Sequence, residues 1–192
     1  TLGHDLHGSR GRVASIEVVE PILCAWATTQ RQTGGGAVES AQRATVRRPV
    51  VEPSERGAHH LGSLYWSTVE RSTAGIVRVR ATAEGHELRV LGRGPVLLSF
   101  RTCEVSAANG AIECRYPIAG GCLARVPAGA LTLAQRANGS TELSSVITGF
   151  VPRLAAGTGR PHWIGALFGH VQARLHIAIS RRYFVSLARQ CR

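Results

Sequence analysis

His86, His162, His170 and His176 are the side chains best suited to acid–base or metal chemistry near neutral pH, so their spacing decides what they can do together. On one helix, His162 and His170 would lie roughly 80° apart around the axis, and His170 and His176 about 120°. Neither separation makes the i, i+4 pair that brings two imidazoles to one metal, and no HExxH run is present. Each therefore reads as a surface or flanking residue. His59 and His60 are adjacent and face two ways if the chain is extended, so no metal and no cofactor are expected. Asp5 is the single aspartate and no GxSxG elbow occurs, so a Ser/His/Asp arrangement is unsupported. Gly34, Gly35 and Gly36 lack the Lys-Ser/Thr of a phosphate loop. Proton exchange falls to Glu104, Glu113 or Glu142, paired with Tyr116 or an arginine, because a partly buried carboxylate titrates nearer neutrality. Glu142 opens a strand beside a turn, where a solvated edge carboxylate is the ordinary alternative. Arg125, which follows a Gly120-Gly121-Cys122 turn, is placed to line a cavity mouth and hold an anionic ligand group, or simply to be exposed.

The elements that would position these groups lie mostly in the second two thirds of the chain. The 192 residues suffice for one domain with a real core. Residues 1–60 are punctuated by Gly, Pro and Arg, and read as a loosely ordered extension or an incomplete set of opening elements. Residues 12–19 and 22–29 are the pieces of it that could order. From residue 61 the pattern sharpens. Leu61, Leu64, Tyr65 and Val69 share one side of a short helix over 61–73. Strands follow at 75–82, 86–91 and 96–100, with Gly92 to Pro95 as a turn. Asn109-Gly110 joins 102–106 to 111–116, the strongest hairpin signal in the chain. A second, Asn138-Gly139, folds 129–136 back onto 141–150. The turn accounts for the Asn138-Gly139-Ser140 sequon without a glycan. Period-two patterning over successive hairpins predicts an antiparallel sheet with one buried face. Ile164, Leu167, Phe168, Val171, Leu175, Ala178 and Ile179 recur at helical spacing, which predicts a helix of about 25 residues covering that face.

Composition narrows the partners. Net charge is +11, and every one of the 23 basic residues is Arg. They are scattered along the chain rather than gathered on one element, which argues for diffuse positive charge and against a dedicated nucleic-acid binder. Arg78, Arg80, Arg89, Arg181 and Arg182 would reverse that reading if they merged into one stripe. Five cysteines at irregular spacing read as free structural thiols, with a single disulfide as the alternative, and a reducing cytoplasm as the default compartment. No apolar run reaches the roughly 18 residues of a membrane span. The chain contains no Met, so a processed protein or fragment is expected.

The order of elements resembles the helix-grip proteins, the START-like and polyketide-cyclase-like superfamily. The likeness is carried by residues 129–135, the Asn138-Gly139-Ser140 turn, residues 141–150 and the helix after Trp163. The Tyr116 to Gly121 turn and residues 180–184 share the style of uncharacterised actinobacterial proteins of this kind. The resemblance implies an α+β fold over residues 61–192, with a curved antiparallel sheet wrapped around a long C-terminal helix. It also implies binding or carriage of a small apolar or aromatic ligand in a cavity between them, lined by Arg125, Tyr116, Phe168 and Glu142. A cyclase- or hydrolase-like enzyme using the same cavity, and a basic interaction protein without catalysis, are the alternatives.

Overall fold

In a computed structural model, residues 25–32, 37–152 and 162–190 are described. The strands are β1 (Ala25–Gln32), β2 (Val38–Val46), β3 (Val77–Thr82), β4 (Gly85–Val90), β5 (Val96–Arg101), β6 (Glu104–Ala108), β7 (Ala111–Gly120), β8 (Ala130–Asn138) and β9 (Ser140–Phe150). Two helices complete the fold, α1 (Glu55–Ser72) and α2 (His162–Arg189). All pairings are antiparallel, and the sheet runs β1-β2-β9-β8-β7-β5-β4-β3 with β6 also paired to β7.

Local chemistry accounts for the hairpins. Asn109 and Gly110 both adopt positive φ, 51° and 73°, as a two-residue turn matched to strand twist requires. Gly139, at φ 72°, turns β8 into β9, and nine residue pairs then hold the two strands in register. Helix α1 starts six residues before the predicted position because Ser54 caps it: its side chain accepts from the Gly57 amide at 3.2 Å. Gln135 on β8 anchors the connection leading into α1. Its Oε1 accepts from the Val50 and Val51 amides, and its Nε2 donates to the Val51 carbonyl. The outer edge of β3 is blunted from α1. Thr73 Oγ1 bonds both the amide and the carbonyl of Val77, and Glu70 accepts from the Val79 amide at 2.9 Å.

The sheet is not curved around the C-terminal helix, which corrects the expected helix-grip architecture. It is an open path ending at β1 on one side and β3 on the other. The reason lies before residue 60. β1 and β2 pair with each other and with β9, and so extend the sheet beyond the strands expected. Eight strands about 4.8 Å apart span roughly 34 Å, more than one helix about 10 Å across can cover. Two helices therefore share the face: α1 packs over β3, β6, β7 and β8, α2 packs over β2, and the helices pack on each other. The boundary expected at residue 60 falls inside α1, and residues 25–32 and 37–46 belong to the sheet. The expected strand at 12–19 lies outside the described residues. Leu61, Ile112, Leu131, Leu133, Leu143, Tyr183, Phe184 and Leu187 form the fully buried centre between sheet and helices.

The free-thiol expectation also changes. Cys103 and Cys114 form a disulfide that ties the bend between β5 and β6 to β7, while Cys122 is free and exposed. Cys24 and Cys191 lie outside the described residues.

Candidate functional site

Strand alternation sends Thr28 of β1, Ser40 and Gln42 of β2 and Ser145 of β9 to the helix-covered face, and α2 lowers His176 and Ser180 onto them. The result is a hydrogen-bonded chain in the interior. The Trp26 indole N–H donates to Thr28 Oγ1 at 3.1 Å, Thr28 donates to Gln42 Oε1 at 2.7 Å, and Gln42 Nε2 donates to Ser40 Oγ at 3.2 Å. Ser40 Oγ meets His176 Nδ1 at 3.1 Å, and His176 Nε2 meets Ser145 Oγ at 3.4 Å. Ser180 donates to Ser145 at 3.4 Å, and the buried Tyr65 hydroxyl of α1 lies beside Ser145.

An indole nitrogen can only donate, so Trp26 fixes Thr28 as the acceptor at the start of the chain. Thr28 accepts from it and passes its own proton to Gln42, whose amide is thereby oriented with Nε2 toward Ser40. Ser40 accepts from that amide and meets His176 Nδ1, and the imidazole proton sits on Nδ1, facing Ser40, or on Nε2, facing Ser145, according to the tautomer. Burial lowers the His176 pKa to about 4, so the ring is neutral at pH 7.

Alongside runs a chain of rings. Trp26 packs against Phe184, Phe184 against Tyr183, Tyr183 against Tyr65 and Tyr65 against Trp66, with centroids 5.3–5.5 Å apart. Trp66 then stands in a cluster with His86, Phe100 and Tyr116. His86 is stacked on it at 5.1 Å and 22°, and the Phe100 and Tyr116 rings lie 5.1 and 5.0 Å away. Gly62 makes room for this cluster, since a Cβ there would overlap the Tyr116 hydroxyl. Burial lowers the His86 pKa and raises that of Tyr116, the latter partly offset by the neighbouring Trp66 indole N–H. Trp66 and Tyr116 do not close a full hydrogen bond. Trp66 Nε1 and His86 Nδ1 are both buried without a partner in this one cluster, and among the described residues Gln30 Nε2 on β1 and Ser72 Oγ at the end of α1 are two further such atoms.

Of the four residues expected to line a cavity, Tyr116, Arg125 and Glu142 have described side chains, and these three lie apart. Tyr116 belongs to the aromatic cluster. Arg125 is exposed in the connection before β8, its amide bonded to the Val151 carbonyl at 2.9 Å. Glu142 lies on the opposite face of β9 from Leu143 and Ser145, across from Arg136. Phe168 is within α2, and its side chain lies outside the described residues. Between β2, β9 and the described part of α2, the buried side chains Ser40, Gln42, Ser145, His176 and Ser180 meet. A depression of about 320 Å³ lies elsewhere, on the surface at Pro49, Val50, Val51, Glu52 and Pro53. Among the described residues no group of three His, Cys, Asp or Glu side chains converges to hold a metal ion.

His176 is buried and His86 half-buried, where surface positions were expected. A signal for His176 existed: it shares a helical face with Ile179, Ser180, Tyr183 and Leu187, all buried. Choosing the apolar Leu175 and Ala178 instead turned the expected face by about one residue. The chain matches no family model, no curated protein and no solved structure, so the helix-grip resemblance rests on element order alone.

Proposed function

We propose that the protein binds a small, flat aromatic or apolar molecule at the Trp66–His86–Phe100–Tyr116 cluster, beneath α1. The observation that carries this reading is the pair of unpartnered buried atoms, Trp66 Nε1 and His86 Nδ1, inside a wall of rings. Each such atom costs about 1–3 kcal/mol when left unsatisfied, and a ligand oxygen between them would remove that cost. A ring system carrying one hydroxyl or carbonyl fits the chemistry: stacking from Trp66, a donor at Nε1, and a neutral imidazole that accepts or donates according to its tautomer. His86, half-buried on β4, is the part of the wall nearest solvent and the side chain that would move to admit the molecule.

An enzymatic reading has less support. Among the described residues the buried histidine with hydroxyl partners, His176, has no carboxylate in its hydrogen-bonded chain. Dedicated nucleic-acid binding is likewise disfavoured. Arg78, Arg80 and Arg89 extend from the face of β3 and β4 away from the helices, Arg89 being paired with Glu87 at 2.8 Å, whereas Arg181 and Arg182 are on α2. They form no single stripe. No helix among the described residues is long and apolar enough to cross a membrane.

Titration with 1-naphthol, followed by tryptophan emission, tests the proposal. A saturable change is expected, with affinity weakened about tenfold, or 1.4 kcal/mol, by His86→Leu. Absence of saturation, or an unchanged affinity in both His86→Leu and Trp66→Phe, would overturn it.

A further inference from the structure

We propose that the solvent face of the two-helix layer is a docking surface for an anionic phospholipid membrane. In its 28 residues α2 has no Asp or Glu, while Arg174, Arg181 and Arg182 are all exposed. Those three fall, with the exposed Ala178, within about 100° of helical arc, and Arg174 and Arg181 are two turns or about 10.5 Å apart. Helix α1 lies antiparallel beside it, as the His60–Gln190 contact at 2.8 Å and the Tyr183–Leu61 bond at 3.1 Å require. It adds the exposed Arg56 and Arg71, against Glu55 as its exposed acid.

Charge complementarity calls for an anionic partner, and shape selects among anions. Two helices side by side make a face roughly 20 Å broad, too wide for the roughly 12 Å major groove that admits a single helix. Among the described residues the exposed large hydrophobics are Ile76, Leu91, Val126 and Leu175, none aromatic, so the described face offers no platform for stacking the bases of a single strand. A plane of headgroups accepts a broad face, the arginine stems cover apolar surface while their heads meet phosphate, and Leu175, 39% exposed beside the ridge, reaches toward the acyl boundary.

The test is co-sedimentation of the full chain with phosphatidylcholine vesicles, with and without phosphatidylglycerol, across a salt series. Binding is expected on the anionic vesicles alone and is expected to fall as salt rises. Each arginine near such a surface contributes about fivefold to partitioning, so the triple variant Arg174→Gln, Arg181→Gln, Arg182→Gln should bind on the order of a hundredfold more weakly. Arg78→Gln, Arg80→Gln, Arg101→Gln removes the same charge from the opposite face and separates docking from net charge. A helix-variant loss at least tenfold greater than the sheet-variant loss sustains the proposal. A smaller difference, equal binding to neutral and anionic vesicles, or displacement from vesicles by duplex DNA at matched phosphate would overturn it, and circular dichroism of both variants checks that they fold.

Discussion

His176 is neutral because an imidazolium in this interior would lose its hydration, and Ser40 and Ser145 do not replace it. Its folded pKa, about 4, lies below the ordinary 6.5, so the unfolded chain takes up the proton first as pH falls. The stability this difference carries is fully present above about pH 6.5 and is lost progressively between 6.5 and 4. Two and a half pH units correspond to roughly 3 kcal/mol. Urea unfolding at intervals over that range should show the loss in the parent chain and a much flatter profile in His176→Gln; identical slopes would mean that other groups set the acid sensitivity. Gly62 supports a second expectation. Gly62→Ala pushes a methyl into the Tyr116 hydroxyl and should cost about 1–3 kcal/mol. Removing that hydroxyl in Gly62→Ala/Tyr116→Phe should recover part of the loss, giving a coupling energy of at least about 0.5 kcal/mol in a double-mutant cycle.

Among the elements, β5, β6 and β7 meet at a break in pairing. β7 pairs with β6 along its first half and with β5 near its end, and the Cys103–Cys114 disulfide fastens the bend between them. Closing a separation of 11 residues contributes about 2–3 kcal/mol in the chain-entropy description. Reduction with dithiothreitol should therefore lower Tm by several degrees, and Cys122→Ala should leave that shift unchanged; a Tm insensitive to reduction would contradict the link. The hairpins around Asn109-Gly110 and Asn138-Gly139 were legible because turn residues and alternation agree there. β1 and β2 were not. In β2 the buried positions are Ser40, Gln42, Ala44 and Val46, so two of the four carry polar side chains and the period-two pattern of hydrophobicity is erased. The residues that build the buried polar chain are the ones that made the strand look like a linker. His176 was missed for the same reason: a polar side chain stands at a buried position.

At the scale of the molecule, an open sheet is covered on one face by two antiparallel helices, and the layer between them holds a chain of rings and a chain of hydrogen bonds. The two meet where Trp26 donates to Thr28 and where Tyr65 lies beside Ser145. That layer cannot be repacked at one point without disturbing its neighbours, which suits a rigid wall for a flat ligand better than a large empty cavity. The central claim is that this wall completes itself with a ligand acceptor at Trp66. Indole N–H resonances of 15N-labelled protein, assigned by replacing Trp26, Trp66 and Trp163 in turn with Phe, report on it directly during titration with 1-naphthol. The expected result is a saturable downfield shift and slower solvent exchange of the Trp66 proton, with the already bonded Trp26 proton changing little. A Trp66 resonance that stays fixed at saturating 1-naphthol, or that moves no more than that of Trp26, would contradict it.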